Sequence, residues 1–377
     1  MKKALLVSTV SRQFTLFDQD NINILQELGY EVHCAANFND ATIALDKLNI
    51  IRHHIDIQRS PFSLVNIKAG YQLMKLMRKG NFDLVHCHAP MGGLLGRICA
   101  MLTKTKPVLY TAHGFHFYQG APTINNLVYK GIERFAASCT DGLLTMNEED
   151  YNAAKRFRLR KEGRVYYIPG VGVDTVAINE VKVERSLKRK EINVPEDAFL
   201  MLSIGELIER KNHKQAIKVL AELKKEGYDQ IYYAICGRGA LIDELRELCD
   251  RSGVADRVIF LGYRTDITEI LKVSDLFVFT SFQEGLPKSV MEAMAAGLPI
   301  VATKIRGNID LIDNGKNGFL VECNDLKGTE EAIKKIYLDK EAQMAFSKNS
   351  LNKIKEHDTK VVKDIMLRIY SDFEING

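Results

Sequence analysis

Nowhere in this sequence does an apolar run approach the roughly 20 residues that a membrane-spanning helix needs, although 46% of its 377 residues are hydrophobic. The start, Met1-Lys2-Lys3-Ala4-Leu5-Leu6-Val7, has an apolar stretch of only about four residues, too short for a signal sequence. It reads instead as a first β-strand, and the expected location is the cytoplasm. Paired cysteines are also lacking: the seven, at 34, 87, 99, 139, 236, 249 and 323, are odd in number and include no C-x-x-C. Several lie in apolar runs, as reduced thiols packed as small hydrophobes do in a cytosolic protein. Glycine is missing from the loop after the first strand, Ser8-Thr9-Val10-Ser11-Arg12-Gln13-Phe14. That excludes the G-x-G-x-x-G dinucleotide fingerprint and argues against a nicotinamide-dependent dehydrogenase.

A metal site is not expected either. His86 and His88 flank Cys87 at the end of a strand, where alternation points both imidazoles away from the thiol. Asp18-Gln19-Asp20 has the D-x-D form that holds a divalent ion in some transferases, but it precedes a helix and reads as a cap. Net charge is small, +4, and unevenly spread. Residues 1–170 carry 21 Lys and Arg against 14 Asp and Glu, and the remainder 31 against 34. A basic first half suits an anionic acceptor or an anionic membrane surface, and equally a solvated face.

The length suits two α/β domains of about 170 to 200 residues each. In the first half, short apolar strands (Ala4 to Val7, Glu31 to Ala35, Leu84 to Val85, Val108 to Thr111, Gly142 to Thr145) alternate with helical periods. The helices fall near Asp20 to Leu28, Leu64 to Met77, Gly92 to Leu102, Thr123 to Ser138 and Asn147 to Phe157. This pattern predicts a doubly wound parallel sheet with ligands at the carboxyl ends of its strands. A charged stretch, Glu180 to Glu191, reads as a linker. The α/β pattern then restarts with strands at Phe199 to Ile204 and Tyr232 to Ile235 and a long amphipathic helix to Asp250.

The chain is organised around Phe282 to Ala302. The apolar run Leu276-Phe277-Val278-Phe279-Thr280 reads as a buried strand, and Glu284 tops the loop that follows. Gly285 admits a close backbone approach, and Pro287 fits the first helical position. Lys288 to Ala296 is the helix, Gly297 its left-handed cap, and Ile300-Val301-Ala302 the next strand. A helix N-terminus at the carboxyl end of a parallel sheet is an anion site. With Glu284 before that helix and Glu292 inside it, a ligand carrying both phosphate and hydroxyl groups is implied.

The whole string, with Glu284-Gly285-Leu286-Pro287 and Glu292-Ala293-Met294-Ala295-Ala296-Gly297-Leu298-Pro299, closely resembles the donor-site signature of retaining glycosyltransferases of family 4. The resemblance implies an α/β GT-B fold: two doubly wound parallel-sheet, Rossmann-like domains with a cleft between them. Residues 1–172 would form the acceptor side and 173–358 the nucleotide-sugar side, and a terminal helix near 359–377 would pack back on the first. It implies a metal-independent hexosyltransferase of capsule or exopolysaccharide assembly that needs no cofactor. Its partners would be a nucleotide-sugar donor and a saccharide or lipid-linked acceptor, with peripheral contact at the inner face of the plasma membrane and no nucleic acid. A nucleotide-sugar epimerase and a silent partner subunit are the alternative readings.

Site roles follow from the same resemblance. Glu292 would take the ribose hydroxyls, backbone N–H groups near Lys288 and Ser289, with Lys211, would hold the pyrophosphate, and Gly285, Leu286 and Pro287 would belong to the same donor site. Gly205 and Arg210 belong to that phosphate loop, in which Glu206 stands where the family usually has a cation. Gly237 follows the next strand, and Arg264 ends the stretch whose backbone reads the base. Glu284 would contact the hexose, as would His113 in Thr111-Ala112-His113-Gly114-Phe115-His116-Phe117. Arg12, His88 and His116 would face the acceptor, and Lys68, Lys75, Arg78 and Lys79 with Leu73, Met74, Leu76 and Met77 would make either a membrane-docking helix or a helix packed on its own sheet.

Overall fold

Short runs of β-branched and aromatic residues that are apolar on both faces can be satisfied only inside a parallel sheet covered by helices. The computed structural model, which describes residues 1–375, folds them into two such sheets. One compact unit comprises Met1–Val171 with Lys360–Gly377, the other Gly172–Thr359.

The first unit contains β1 (Lys2–Val10), β2 (Tyr30–Asn37), β3 (Ile51–His54), β4 (Leu84–His88), β5 (Val108–Ala112), β6 (Gly142–Thr145) and β7 (Arg164–Tyr167). They form a seven-stranded parallel sheet in the order β3-β2-β1-β4-β5-β6-β7. Its core gathers Leu5, Val7, Val85, Val108, Leu143 and their neighbours under the helices Val65–Gly80 and Pro90–Thr103. The final helix, Thr359–Ile375, belongs to this unit: the Tyr370 hydroxyl lies 2.7 Å from His86 Nδ1, and Phe373 packs against Tyr166.

The second unit contains β8 (Phe199–Ile204), β9 (Ile231–Cys236), β10 (Val258–Gly262), β11 (Leu276–Phe279), β12 (Ile300–Thr303) and β13 (Gly318–Val321). Their order is β10-β9-β8-β11-β12-β13, again all parallel. In both sheets the order reverses beside the first strand, at β1/β4 and at β8/β11. Helices leave to opposite faces there and open a crevice at the carboxyl ends of the strands.

Two expectations need correction. The stretch Glu180 to Glu191 is not a loose linker: Arg185–Glu191 is helical, with Lys188 and Arg189 buried. Arg189 donates to the carbonyls of Val273, Glu196 and Ala198 and pairs with Asp275 at 2.7 Å. Its charge is thus matched, which is what makes burial tolerable. Pro287 is the residue before the helix Lys288–Ala295, with extended backbone, rather than its first helical residue. Gly297 does adopt the left-handed conformation, φ +81°.

Candidate active site

In the second unit the crevice is framed by Gly205–Lys211 after β8 and by the loop from Thr280 to Pro287 after β11. Glu284 is drawn into it by three donors on one oxygen: Lys211 Nζ at 2.7 Å, Arg210 Nη1 at 2.9 Å and Ser281 Oγ at 2.6 Å from Oε1. Arg210 also reaches the Gln283 carbonyl at 2.7 Å, so it stands beside Lys211 on the same carboxylate. Glu206 is exposed. The loop thus presents two cations, only one of which the resemblance specifies. Charge-assisted bonds of this length are strong and fix the carboxylate's orientation.

The helix Lys288–Ala295 begins directly behind Glu284. Its first N–H groups have no intrahelical acceptor, and Pro287 offers no side-chain cap, so those of Lys288 and Ser289 are left for an acceptor outside the helix. Glu292, one turn in, is half-buried; burial raises its pKa, and Lys288, with Nζ 3.8 Å away, partly offsets this. Two glycines permit the close approach of the surrounding loops. A Cβ on Gly237 would sit 1.8 Å from the Gly205 carbonyl oxygen, and one on Gly307, where φ is +80°, would sit 2.2 Å from that of Gly285. Arg264 lies elsewhere in purpose: it forms a bidentate pair with Asp266 and reaches Glu191 at 2.5 Å. Its side chain therefore braces the helix Arg185–Glu191.

Arg306 escaped the sequence reading. It is buried, and its Nε donates to the Glu284 carbonyl at 3.0 Å, pinning the backbone of the residue whose side chain Lys211 and Arg210 hold. Its partner lies 22 residues away in the sequence, where no local pattern reveals it.

In the first unit the crevice at β1/β4 collects a buried cluster. His113, just past β5, is half-buried, and Gln13 Nε2 lies 3.1 Å from its Nε2. The amide donates and Nε2 accepts, which leaves the ring proton on Nδ1. Burial lowers its pKa to about 4, with His88 lowering it further and Asp18 opposing. At neutral pH His113 is accordingly an uncharged donor and acceptor, suited to a sugar hydroxyl and not to supplying positive charge.

His88 does not face an acceptor directly. It is the last residue of β4, wholly buried between neighbouring strands, and its pKa falls to about 3 through burial. Asp18 is not a cap in the expected sense: it precedes the helix Gln19–Glu27 but makes no side-chain capping bond. It is 1% exposed, and burial raises its pKa to about 6. Its Oδ1 lies 3.2 Å from His88 Nδ1, outside hydrogen-bonding geometry, since Asp18 Oδ2 and both His88 nitrogens lack hydrogen bonds. Asp18, His88 and His113 each offer an atom within 4.8 Å of the others, and among the described residues they alone could hold a metal ion. His86 is satisfied by Tyr370 and by Thr111 Oγ1 at 2.8 Å. Arg12 is exposed, 4.0 Å from Asp40, and His116 is exposed against the Tyr129 ring.

Two units of Rossmann strand order, each with its polar cluster at the switch point, define the GT-B class of fold. Anabaena HepE, solved in complex with UDP, superposes with a TM-score of 0.81 at 19% identity over 98% of this chain and 100% of its own. Residues 3–147 match the glycosyl transferase 4-like family and residues 184–353 the group 1 glycosyl transferases. EpsD, a protein of Bacillus subtilis (strain 168) named as a glycosyltransferase, is 37% identical over 89% of this chain and 87% of its own length. The UDP-Gal:alpha-D-GlcNAc-diphosphoundecaprenol alpha-1,3-galactosyltransferase of Escherichia coli is 33% identical over 82% and 81%. The chain belongs to the group 1, family 4-like glycosyltransferases.

Proposed function

We propose that the protein transfers a hexose or N-acetylhexosamine from a nucleotide-diphosphate sugar, a UDP-sugar, to a lipid-linked saccharide, with retention at the anomeric carbon. It would act as a peripheral enzyme at the inner face of the plasma membrane, in capsule or exopolysaccharide synthesis. The observation that carries this reading is the convergence of Lys211, Arg210 and an uncapped helix N-terminus around Glu284, with Glu292 behind, in a chain one-third identical to a galactosyltransferase named for a diphosphoundecaprenol acceptor.

Lys211, Arg210 and the N–H groups at Lys288 and Ser289 meet the pyrophosphate charge, so the step runs without a metal ion on the phosphates. A helix terminus contributes roughly 0.3 to 1 kcal/mol and up to about 2 when partly buried, so the two side-chain cations are needed as well. Glu292 accepts both ribose hydroxyls. Glu284, fixed by its three donors, and neutral His113 bind hydroxyls of the transferred sugar. The bond from the anomeric carbon to the phosphate oxygen breaks, the bond to the acceptor oxygen forms on the same face, and the leaving phosphate takes the acceptor's proton.

The test is turnover against a panel of nucleotide sugars with a diphosphate-linked lipid acceptor, with and without chelator, following nucleotide release and the anomeric configuration of the product. Release that depends on acceptor, survives chelation, conserves configuration and is lost in Glu292→Ala is expected. Isomerised donor without acceptor, an inverted product, or no donor-dependent release sinks the reading, and the last of these would favour a silent partner subunit.

A further inference from the structure

The helix Val65–Gly80 separates its apolar residues into two sets. Leu73 and Met77 are buried against the sheet, and Met74 and Leu76 are partly buried on the same core. They pack the helix onto its own unit, so of the apolar positions singled out in the sequence none is left to dock. A different set is outside. Phe62 and Leu64, in the turn that leads into the helix, are 89% and 81% exposed, and Ile67 and Tyr71 continue the line. Leu64, Ile67 and Tyr71 are spaced by three and four residues and therefore share one helical face.

A second stripe repeats the arrangement. In the helix Thr123–Ala137, Ile124, Leu127, Val128 and Phe135 are all exposed. The two helices flank Pro90–Thr103, each packing against it. All three follow strands of a parallel sheet, so their N-termini lie at its carboxyl end, the end that carries His113 and Arg12. Both stripes are thus densest at the edge of the unit where the acceptor is expected. Single exposed apolar residues need no explanation, whereas two stripes of large ones on helices that flank the same third helix mark an interaction surface.

The charge on the first of the two helices is of one sign. The helix Val65–Gly80 carries Lys68, Lys75, Arg78 and Lys79 and no acid, and Arg59 is exposed just before Phe62. Lys68 is paired with Asp56 at 2.8 Å. Lys75 and Arg78 continue the face of Leu64 and Tyr71, about 6 and 10 Å beyond Tyr71 along the helix axis. An apolar tip with aromatic residues and cations set behind it matches an interfacial segment whose apolar end enters the acyl boundary while its cations meet anionic headgroups.

We propose that the turn and helix from Phe62 to Tyr71, with Ile124, Leu127 and Val128 of the neighbouring helix, form a docking surface for an anionic bilayer. It rests on the reading that the acceptor is lipid-linked, and it sets the carboxyl edge of the first sheet against the membrane. A diphosphate-linked lipid then reaches the site without leaving the bilayer.

Vesicle flotation of the full chain tests it, using phosphatidylcholine vesicles and vesicles containing phosphatidylglycerol, for wild type, Phe62→Ser/Leu64→Ser/Ile67→Ser, Ile124→Ser/Leu127→Ser and Lys75→Glu/Arg78→Glu. Wild type should float with the anionic vesicles and much less with the neutral ones. The two apolar variants should bind about tenfold more weakly or worse, and the charge variant should lose the preference for anionic lipid. Because all these positions are exposed, unchanged thermal melting serves as the folding control. No flotation of wild type, or full flotation of both apolar variants, overturns the proposal. So does a wild-type dimer in sedimentation that the apolar variants dissociate, since the surface would then join copies of the chain. Flotation uses no nucleotide sugar, so its failure leaves the transfer reaction standing, and failed transfer with intact flotation strikes only the reaction.

Discussion

Lys211 and Glu284 neutralise one another at 2.7 Å, so a pyrophosphate that recruits the ammonium must share it with the carboxylate or displace it. Arg210, 2.9 Å from the same oxygen and tied to the Gln283 carbonyl, would lend its charge to the pyrophosphate from that position and keep Glu284 oriented if Lys211 turned to phosphate. Lys211→Ala should therefore weaken donor binding and lower kcat/KM by roughly a hundredfold, about the worth of a charged hydrogen-bonding partner. Arg210→Ala should cost less in donor KM and more in kcat. Steady-state kinetics at varied donor concentration separates the two.

Asp18 makes a residue-level prediction of a different kind. Its carboxyl titrates near 6 in the fold against an ordinary value of 3.8, because burial disfavours its charge. The unfolded chain loses that proton first, so this group's contribution to stability is complete below about pH 4 and is lost as pH rises through about 6. The loss amounts to roughly 3 kcal/mol at most. Asp18→Asn removes it, and the variant's urea midpoint should gain on wild type between about pH 4 and about pH 6. His88 and His113 act in the opposite sense. Their lowered pKa values favour the fold above the ordinary histidine value and withdraw that support as pH falls toward 4. The comparison of variant with wild type at each pH isolates the aspartate.

At the scale of elements, the two glycines are the sharpest constraints. Gly307→Ala would put a methyl group 2.2 Å from the Gly285 carbonyl oxygen and would require a backbone conformation that suits glycine. The loop that presents Glu284 must then move, and donor KM should rise several-fold or more, while titration calorimetry with UDP reports the same loss. Arg189→Ala should destabilise the second unit by roughly 3 kcal/mol in chemical denaturation, because it removes the buried guanidinium that satisfies the carbonyls of Val273, Glu196 and Ala198, while Asp275 keeps Arg185 at 2.6 Å. Arg185→Ala, at an exposed position, should stay within about 0.5 kcal/mol.

The elements also separate what was legible from what was not. Buried strands such as β6 and β8 carry continuous apolar runs, and their limits in the sequence and in the structure coincide. The edge strands β3 and β7 do not, because Ile51–His54 and Arg164–Tyr167 are largely exposed or half-exposed and have no second face to bury. Among the candidate site residues, Glu284, Lys211 and His113 were legible because each stands in a loop that follows a strand, within a recognisable string. Arg306, Asp18 and the sealed position of His88 were not, since each depends on a partner distant in sequence.

For the molecule as a whole, the division into Met1–Val171 with Lys360–Gly377 and Gly172–Thr359 predicts an uneven thermal response. The residues assigned to the nucleotide all lie in the second unit, so UDP should raise the unfolding temperature of that unit and leave the other nearly unchanged, as binding to the folded state alone requires. Differential scanning calorimetry with and without UDP reads this directly. Among the described residues no helix is long and apolar enough to cross a membrane.

The alternation of buried parallel strands with helices and the positions of the loops that carry Lys211, Glu284 and Glu292 were determined by the sequence itself. Each is a local consequence of apolar runs, turn residues and helix ends that neighbours in the chain specify. Tertiary structure alone decided that Glu284 is gripped by two cations and pinned by Arg306, that Arg264 braces a helix, and that Asp18 and His88 are sealed beneath His113. It also decided which apolar residues of the helix Val65–Gly80 enter the core and which remain outside. These outcomes turn on contacts between segments tens to hundreds of residues apart, and burial, which no local pattern contains, sets the cost of every charge involved.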